Sequence, residues 1–352
     1  MQIDNDSPVR DVIRTVAIVG SGLSGLTAAI FLEEAGLSVT LFEKSRGPGG
    51  RLAAKRVPDG AVDIGAQYFT IRDPAFRRFL ESRAGNDTFE EWRGQLRFQQ
   101  EDGRWTDFVA GPRYVGVPRM TAIFRALATD LSVVYETRIA RIERATGGWA
   151  LIDTNGAVQG DFDAVLITAP PVQARDLLLA SDTGLDTSAH ELTDFPLDAC
   201  WTVMAKFREN PCPGTDGFSC RHPVLQWAAN NSSKPGRESD GSWWVLHARA
   251  DWSEAHQEAE ADWVARQLLA AFGTCTNPSS LPETVMTHRW LYAKTRESGE
   301  HPGHLWYPQQ RIGLCGDWLA GGRVEGAFQS GRALAEAILT AREAAPDDGR
   351  SG

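Results

Sequence analysis

The stretch Val16-Ala-Ile-Val-Gly20-Ser-Gly-Leu-Ser-Gly25 joins a short apolar run to three closely spaced glycines. Such an apolar run is typical of a buried parallel strand. Residues 26–35 then predict a helix that ends at Gly36, and residues 38–43 predict the next strand. Strand, glycine turn, helix and strand together predict a βαβ unit at the start of the fold.

Each glycine of this turn has a separate physical reason to be glycine. Gly20 permits the tight turn, Gly22 lets the backbone approach a pyrophosphate, and Gly25 allows the helix to pack closely on the sheet. The N-terminus of the helix offers unpaired N–H groups to the phosphate. Glu43 ends the second strand, where a carboxylate accepts from a ribose hydroxyl. The pattern therefore predicts a dinucleotide site.

Composition and charge exclude several other classes of protein. The 352 residues include 36 basic and 46 acidic side chains, and the net charge of −10 disfavours binding to nucleic acid or to an anionic membrane. No apolar run approaches the roughly 18 residues of a membrane span. The five cysteines have no zinc-ligand spacing, and the first residues resemble no signal peptide. We expect a cytoplasmic protein without metal.

The rest of the chain predicts two further structural regions. Residues 132–160 alternate and turn like a β-meander, and residues 164–168 form an apolar strand. Residues 200–207, 224–229 and 243–249 alternate like a half-exposed antiparallel sheet. Further helices are predicted at residues 74–83, 118–128, 254–272 and 323–342.

A second glycine element identifies the type of dinucleotide. Gly49-Gly50-Arg51 follows Glu43 closely, and Gly316-Asp317 follows a strand near the C-terminus. A nicotinamide dehydrogenase does not need that distant element. A flavin dinucleotide does, because its ribityl chain and second phosphate extend toward the last strand. We therefore predict FAD as the cofactor.

Four segments narrow the resemblance: KSRGPGGR at 44–51, DIGAQYFT at 63–70, HRWLY at 288–292 and GDW…GRVEGAF…SG at 316–331. With the glycine turn they resemble the renalases, in particular the bacterial renalases, which are FAD-dependent members of the flavin amine-oxidase superfamily. The resemblance covers about residues 14–340, and the three segments after 62 are what separate renalases from the wider superfamily.

The resemblance implies an α/β fold: a Rossmann-like FAD-binding domain with a mostly parallel sheet and a β-meander, plus a discontinuous α+β substrate domain with an antiparallel sheet. We predict the FAD-binding domain at residues 14–75, 113–180 and 284–342. The substrate domain is predicted at residues 76–112 and 190–283, with flexible tails at 1–13 and 344–352.

The resemblance also implies an activity. Renalases bind FAD non-covalently and oxidise the 2- and 6-dihydro isomers of NAD(P)H to NAD(P)+ by hydride transfer to the flavin. O2 then takes the electrons and becomes hydrogen peroxide. The partners are thus a dinucleotide substrate and O2. This chemistry needs stacking and positioning but no general base, so no protein residue is predicted to be catalytic.

The site residues follow by position. The predicted cofactor-binding residues are Gly20, Gly22, Leu23, Ser24, Gly25, Glu43, Lys44, Arg51, Gly65, Ala66, Gln67, Gly316, Asp317, Val324 and Glu325. The predicted substrate-binding residues are Gln67, Tyr68, Phe69, Thr70, Asn230, His247, Trp290 and Arg323.

Two alternatives stay open. The first is a flavin amine oxidase of the same superfamily, and the second is a non-catalytic FAD-binding redox sensor. Thr202 falls near the place where many amine oxidases carry a lysine, which counts against amine chemistry. Cys315 precedes Gly316-Asp317 and comes too early to attach a flavin covalently. The preference between NAD and NADP isomers and the oligomeric state are not predicted.

Overall fold

The computed structural model describes residues 12–108, 111–237, 239–296 and 301–343. Apart from residues 12 and 13, the predicted flexible tails lie outside these ranges. The strands, in chain order, are β1 Thr15–Val19, β2 Ser38–Phe42, β3 Ala54–Val57, β4 Gly60–Asp63, β5 Phe89–Glu91, β6 Leu96–Gln99, β7 Trp105–Asp107, β8 Tyr114–Gly116, β9 Ser132–Val134, β10 Ile139–Ala145, β11 Gly148–Asp153, β12 Val158–Phe162, β13 Ala164–Ile167, β14 Leu197–Phe207, β15 Gly217–Ser219, β16 Leu225–Asn230, β17 Ser242–Ala248, β18 Thr284–Thr295, β19 Leu305–Tyr307 and β20 Ile312–Leu314.

The helices follow the same order. They are α1 Leu23–Glu34, α2 Pro74–Phe79, α3 Thr121–Leu127, α4 Pro171–Leu179, α5 Asp186–Glu191, α6 Ala250–Ala255, α7 Ala261–Thr276 and α8 Val324–Glu343. The chain divides into two compact units. The first takes the described residues of Met1–Pro48, Leu127–Pro196 and Glu297–Gly352, and the second takes those of Gly49–Ala126 and Leu197–Arg296.

The first unit is built on a six-stranded sheet in the order β19-β20-β13-β1-β2-β9. The pairs from β20 to β9 are parallel, and β19 joins the edge antiparallel. Strand β13 is buried at every residue, because α/β packing covers both faces of a parallel sheet. The predicted βαβ unit is confirmed, and the helix begins at Leu23, three residues earlier than expected, because Gly22 serves as its N-cap.

The predicted meander is displaced along the chain. Strands β10, β11 and β12 form the three-stranded antiparallel sheet, whereas β9 pairs parallel with β2 at the edge of the large sheet. The prediction that residues 132–160 form one meander is therefore wrong at its start. The short run Ser132–Val134 alternates like a meander strand, and local alternation does not distinguish parallel from antiparallel partners.

The second unit is built on a seven-stranded sheet in the order β18-β14-β17-β16-β15-β6-β7. Its pairs are antiparallel except for β15 with β6, which confirms the predicted antiparallel sheet. The expectation of a half-exposed sheet is wrong. One face, with Trp244 and Leu246, packs against α7, and the opposite face, with Trp243 and Val245, packs against Ile64 and its neighbours.

Two helices replace the single helix predicted at residues 254–272. Helix α6 ends at the cap residue His256, and α7 begins after Glu260. The His256 ring contacts both Trp252 and Trp263, at centroid distances of 4.5 and 5.2 Å, and the two indoles stack on each other at 5.7 Å. The helical spacing of residues 254–272 thus continues through residues 256–260, where the structure has a break between α6 and α7. The ring contacts stabilise this break.

The bounds of the two units differ from the sequence-based division. Residues 49–75, 113–126 and 284–296 group with the second unit. The physical reason is clearest for β18, which pairs with β14 from Leu197↔Thr295 to Lys206↔Thr284. A strand with so long a ladder belongs to the unit of its partner.

Helix α8 packs directly on α1 through Gly331. A Cβ atom at Gly331 would lie 2.3 Å from the carbonyl oxygen of Ser24, so the close approach of the two helices requires glycine. Gly273 in α7 is the natural comparison, because no atom lies within 4 Å of the Cβ it would carry.

We expect Gly331→Ala to lower the melting temperature of the protein, because overpacking costs about 1–3 kcal/mol. Gly273→Ala should raise it slightly, because alanine stabilises an open helix position by about 0.5–1 kcal/mol relative to glycine. Thermal unfolding followed by circular dichroism measures both. A Gly331→Ala variant as stable as the parent protein would contradict the close packing of α1 on α8.

Candidate functional site

The ends of three parallel strands bring the predicted nucleotide residues of the first unit to one edge. Gly20 follows β1, Glu43 follows β2 and Thr168 follows β13. Strand β1 lies between β2 and β13, so the chain order reverses here, and ligands of open α/β sheets bind at such a point. Thr168 Oγ1 donates to the carbonyl oxygens of Val19 and Gly20, both at 3.1 Å, and fixes the turn.

The three glycines of the turn differ in what surrounds each of them. Gly20 has φ +111°, a conformation that favours glycine, and a Cβ at Gly25 would lie 2.2 Å from the Gly20 carbonyl oxygen. Gly22 faces open space, since no atom lies within 4 Å of its would-be Cβ. It caps α1 without a side-chain hydrogen bond. Backbone N–H groups at an uncapped helix start fit a pyrophosphate.

Glu43 is buried and already accepts hydrogen bonds from the protein. Its Oε2 accepts from the N–H and the hydroxyl of Ser21, at 3.0 and 2.9 Å, and its Oε1 accepts from Ser45 N–H at 2.8 Å. A carboxylate has about four acceptor positions, so capacity for a ribose hydroxyl is left. Ser21 and Ser45 orient this carboxylate, and sequence reasoning passed over both.

Lys44 follows Glu43 but points its ammonium group at another partner. Its Nζ donates to Gln173 Oε1 at 3.2 Å. Burial lowers the pKa of Lys44, the charge of Arg138 lowers it further, and Glu43 opposes the shift. Lys44 thus lies next to the nucleotide turn in the chain, but its ammonium group contacts Gln173 of α4.

The Gly316-Asp317 element is held from several sides. Gly316 N–H donates to Ser330 Oγ at 2.9 Å, and the Ser330 hydroxyl donates to the Gly303 carbonyl. Trp318 Nε1 donates to the Ala169 carbonyl at 3.3 Å, next to the end of β13. Asp317 is buried. Val324 and Glu325 begin α8, and Arg323 before them is exposed.

The remaining predicted cofactor residues belong to the second unit. Ala66 N–H donates to the Arg51 carbonyl at 3.0 Å, and a Cβ at Gly65 would lie 1.9 Å from that oxygen. Gln67 is buried, and its Nε2 donates to the carbonyls of Asp63 and Gly65, at 2.8 and 2.9 Å. The segment is therefore fixed by its own backbone.

A buried ion cluster anchors this segment. Asp63 Oδ2 accepts from Lys234 Nζ at 3.1 Å and from Arg237 Nη2 at 2.5 Å. The exposed fractions of the three side chains are 0%, 0% and 1%. Asp63 Oδ1 accepts from Met120 N–H at 2.9 Å, and Lys234 also donates to Gln67 Oε1 at 2.9 Å. One carboxylate therefore faces two cations.

Burial acts to raise the pKa of the carboxyl group in the cluster and to lower the pKa of its lysine. Desolvation alone would raise the pKa of Asp63, but Lys234 and Arg237 hold it below its ordinary value. Burial lowers the pKa of Lys234 to about 8, although Asp63 partly opposes this shift. Sequence reasoning assigned no role to Asp63 or Arg237. The one available signal was the position of Asp63 at the start of DIGAQYFT.

A row of polar side chains crosses the sheet of the second unit. Thr202 pairs with His288 on one side and His247 on the other, and His247 pairs in turn with Trp227. His247 Nε2, Trp227 Nε1 and Thr202 Oγ1 are buried and have no hydrogen-bond partner among the described residues. Directly paired residues share a face, so these three atoms lie on one face of the sheet.

The two histidines of this row are neutral at pH 7. Burial lowers the pKa of His247 to about 4, the backbone of Ile64 opposes this shift, and Lys234 adds to it. Burial and then the charge of Lys55 lower the pKa of His288. Trp290 lies edge-on to His288 at 4.4 Å, and its Nε1 donates to the Ile64 carbonyl at 3.0 Å.

Aromatic rings continue from Trp227. Tyr68 meets Trp227 edge-on at 5.8 Å and lies 6.4 Å from Trp92. The Arg113 guanidinium lies 5.4 Å from the Tyr68 ring, and Lys234 Nζ lies 5.7 Å from the Trp92 ring. We call Tyr68, Trp92 and Trp227 the aromatic group. Two cations lie over its rings.

Three predicted substrate residues have other surroundings. Phe69 is buried and packs on Phe76 and Tyr114. Asn230 is buried, and its Oδ1 accepts from Ser232 N–H at 3.1 Å and from Ser242 Oγ at 3.3 Å, which closes the turn after β16. Thr70 is half-buried.

The described residues contain no group of three or more His, Cys, Asp or Glu side chains arranged to hold a metal ion. No helix in the described ranges has both the length and the apolar character needed to cross a membrane.

Comparison with known proteins gives the family. The family of flavin containing amine oxidoreductases matches residues 92–339, and the NAD(P)-binding Rossmann-like domain matches residues 18–82. The chain belongs to the flavin-containing amine oxidoreductases. Its fold is the Rossmann-like FAD-binding fold of this family, and FAD is its cofactor. The predicted superfamily, fold class and cofactor are confirmed, whereas renalase membership itself stays a prediction.

Curated relatives match over parts of their length. The bifunctional protein MnmC of Magnetococcus marinus, named for tRNA 5-methylaminomethyl-2-thiouridine biosynthesis, is 26% identical over 198 residues, 45% of this chain and 30% of the relative. Phytoene dehydrogenase of Streptomyces griseus is 27% identical over 215 residues, 58% and 39% of the two chains. Hydroxyneurosporene desaturase of Rubrivivax gelatinosus is 44% identical over 57 residues, 16% and 11%. The chain spans well under two thirds of these relatives.

Solved structures share the fold over nearly the whole chain. Cyclohexylamine oxidase from Brevibacterium oxydans IH-35A is 14% identical with a TM-score of 0.76, covering 94% of this chain and 100% of that one. A putative protoporphyrinogen oxidase from Exiguobacterium sp. 255-15 is 16% identical with a TM-score of 0.74, covering 93% and 99%. Wild-type putrescine oxidase bound to putrescine is 16% identical with a TM-score of 0.70, covering 93% and 99%.

We expect Gly22→Val to fold but to lose FAD. The new side chain meets no protein atom within 4 Å of its Cβ, yet it occupies the space that a pyrophosphate needs at the start of α1. The flavin absorbance of the purified protein should fall by roughly tenfold or more, which corresponds to about 1.4 kcal/mol or more of lost binding. Gly273→Val, also at an open glycine, should keep its flavin. Full FAD content in Gly22→Val would contradict this placement.

We expect Asp63→Asn to destabilise the protein by about 3–5 kcal/mol, because it leaves two buried cations without their counter-ion. Chemical unfolding measures this loss. Asp102→Asn, at an exposed pair with Arg104, should leave the unfolding midpoint unchanged.

The double variant Asp63→Asn/Lys234→Met separates charge from packing. It removes one of the two stranded cations and should be more stable than Asp63→Asn alone. A double variant less stable than the single one would show that charge imbalance is not what the Asp63 carboxylate relieves.

Proposed function

We propose that this protein is an FAD-dependent oxidase of dihydronicotinamide dinucleotides. In this proposal it oxidises the 2- and 6-dihydro isomers of NAD(P)H to NAD(P)+ by hydride transfer to the flavin, and O2 is reduced to hydrogen peroxide. The supporting observation is the buried ion cluster beside the aromatic group of the second unit, in which Lys234 and Arg237 both pair with the Asp63 carboxylate. The Arg113 guanidinium lies 5.4 Å from the Tyr68 ring.

Charge is what separates this substrate from an amine. Aliphatic amines are ammonium ions near neutral pH, and bringing one toward buried cations is unfavourable in a low-dielectric site. A dinucleotide carries a negative pyrophosphate, and its dihydropyridine ring is uncharged. Lys55, whose charge lowers the pKa of His288, adds to the cationic surroundings. The same cations therefore favour the dinucleotide and disfavour the amine.

The polar row of the sheet suits a carboxamide. Trp227 Nε1 can only donate a hydrogen bond, and neutral His247 accepts at Nε2 when its proton is on Nδ1. A nicotinamide carboxamide offers one acceptor oxygen and one donor NH2 group. In our proposal Trp227 and His247 bind these two groups, and Tyr68 lies against the ring. This arrangement orients the substrate without ionising any side chain.

The flavin, when bound, accepts the hydride and passes electrons to O2. The residues that would hold the FAD are those at the strand ends of the first unit, with Glu43 for the ribose and the start of α1 for the pyrophosphate. Gly316 and Asp317 would hold its ribityl side. Cys315 is fully buried and burial raises the pKa of its thiol, so we propose that the FAD is not attached through it.

Oxidation of a dihydropyridine leaves an aromatic cation and releases no proton to the protein. The low pKa of His247 fits this requirement, since His247 stays neutral and takes no part in proton transfer. A positioning role for His247, with no general base, is therefore enough for the reaction that we propose.

We expect anaerobic mixing with the 2-, 4- and 6-dihydro-NAD isomers to bleach the flavin absorbance rapidly. Pure 4-dihydro-NADH should bleach it slowly or not at all, and putrescine and cyclohexylamine should not bleach it. Stopped-flow absorbance measures the rates. Bleaching by the amines and not by the isomers would replace our proposal with the amine oxidase alternative. Bleaching by none of them would favour the redox sensor.

A matched pair of variants tests the charge argument in the same instrument. Arg113→Gln removes a cation beside Tyr68 and should raise the isomer concentration needed for half-maximal bleaching by about fivefold, equivalent to about 1 kcal/mol. Arg93→Gln, whose side chain is 84% exposed, should leave that concentration unchanged. Equal effects of the two substitutions would remove the cationic face from the argument for a dinucleotide substrate.

A further inference from the structure

The row of residues from His288 to Trp227 continues to the far edge of the sheet in the second unit. Trp227 pairs with Ser219 of β15, and Ser219 pairs with Phe98 of β6. Phe98 pairs in turn with Thr106 of β7, which is the edge strand. Because directly paired residues share a face, this continuation lies on the same face as the rest of the row.

The residues next to this continuation show which way it faces. Phe218 precedes Ser219 and is buried in the apolar cluster that packs against α7, and Trp105 precedes Thr106 and packs against the same cluster. Side chains alternate along a strand, so Ser219 and Thr106 face away from α7. Phe98, Thr106 and Ser219 are half-buried, so a ligand can reach them from solvent.

A second pair of rings lies at this edge of the sheet, next to a cation. The rings of Phe98 and Phe108 meet edge-on at 6.0 Å, and we call these two residues the edge pair. The Arg113 guanidinium lies 4.4 Å from the Phe108 ring and 5.4 Å from the Tyr68 ring. One cation therefore lies beside both the aromatic group and the edge pair.

We propose that the edge pair binds the adenine of a dinucleotide substrate, and that Arg113 lies beside its pyrophosphate. This inference rests on the proposed function, in which Trp227 and Tyr68 hold the nicotinamide. Neighbouring strands lie about 4.8 Å apart, so the three steps from Trp227 to Thr106 cover roughly 14 Å. An extended dinucleotide is long enough for this distance. It carries its negative pyrophosphate between its two rings, as this face carries Arg113 beside both sets of rings.

The chemistry of this edge suits an uncharged, flat base. Rings that meet edge-on do not stack on each other, so a base that stacks on Phe98 breaks no existing stack. Thr106 Oγ1 accepts from Gln100 Nε2 at 3.1 Å, and its hydroxyl proton is left to donate to a ring nitrogen of the base. Ser219 provides a second hydroxyl between Trp227 and Phe98. Stacking with hydrogen bonds from neutral groups is a common way to bind a nucleobase.

The first test compares whole and shortened substrates on the FAD-containing protein by stopped-flow absorbance. The 2- and 6-dihydro isomers of nicotinamide mononucleotide lack the adenosine half. They should bleach the flavin at the same limiting rate as the dinucleotide isomers, but with a half-maximal concentration about tenfold higher, because the stacking of the base is lost.

Phe98→Leu should have an effect that depends on the substrate. It should raise the half-maximal concentration of the dinucleotide isomers about tenfold and leave that of the mononucleotide isomers unchanged, because only the dinucleotide carries a base that stacks on the lost ring. An equal effect on both substrates, or an effect on neither, would overturn the adenine site and leave the proposed function standing.

Two further variants separate the loss of the ring from damage to the β6–β7 hairpin. Phe98→Tyr keeps an aromatic face and should restore the half-maximal concentration of the parent protein. Trp105→Leu removes a ring from the same hairpin, but on the face toward α7, and should leave that concentration unchanged. An increase in Trp105→Leu as large as in Phe98→Leu would assign the effect to the hairpin and overturn the proposal.

ADP-ribose tests the adenine site without hydride transfer. The FAD-containing protein already holds a dinucleotide at the glycine turn, so titration calorimetry reports a second site. ADP-ribose should bind the parent protein, and Phe98→Leu should bind it about tenfold more weakly. That result, together with no bleaching by any isomer, would contradict the proposed function and support the adenine site. No binding to the parent protein, or equal binding to both proteins, would overturn the adenine site whatever the isomers do.

Discussion

The ion cluster around Asp63 is the constraint on which the second unit depends. The Asp63 carboxylate, at the end of β4, accepts hydrogen bonds from Lys234, Arg237 and the backbone N–H of Met120. The carboxylate is fully buried. Displacing a buried charge costs more free energy than displacing an exposed one, because its partners are then left buried without a counter-ion. The segment that leaves Asp63, through Gly65 and Gln67 to Tyr68, therefore starts from a fixed point. The aromatic group takes its position from an electrostatic anchor.

The first unit fixes its site by steric means. Gly20, Gly25 and Gly331 occupy places where a Cβ would lie between 2.2 and 2.6 Å from another atom, and Gly22 differs from them because it faces open space. The close contacts hold the turn, β1 and α8 against α1, and the open position is the one left for a ligand. When the surrounding turn is closely packed and one glycine leaves open space, the backbone N–H groups at the helix start can approach a phosphate.

Periodicity and turn residues in the sequence predicted the elements that depend on local interactions. The βαβ unit, the start of α2 at residue 74 and the pairing of β14, β16 and β17 all follow from periodicity and turn chemistry. Asp63 and Lys234 are 171 positions apart, and no local pattern joins them. The row from His288 to Trp227 depends on strand register in the same way. The sequence predicted the nucleotide turn, whereas tertiary structure decides which distant side chains lie together.

Burial has opposite effects on the ionisable groups of the second unit, and the proposed chemistry depends on both. It keeps His247 neutral by removing the water that would stabilise a proton. It lowers the pKa of Lys234 only to about 8, because Asp63 partly opposes the shift. The result is a neutral hydrogen-bonding row beside fixed positive charge. A substrate with an uncharged ring and its negative charge on a pyrophosphate can bind beside both features, whereas binding of an ammonium ion is opposed by the second.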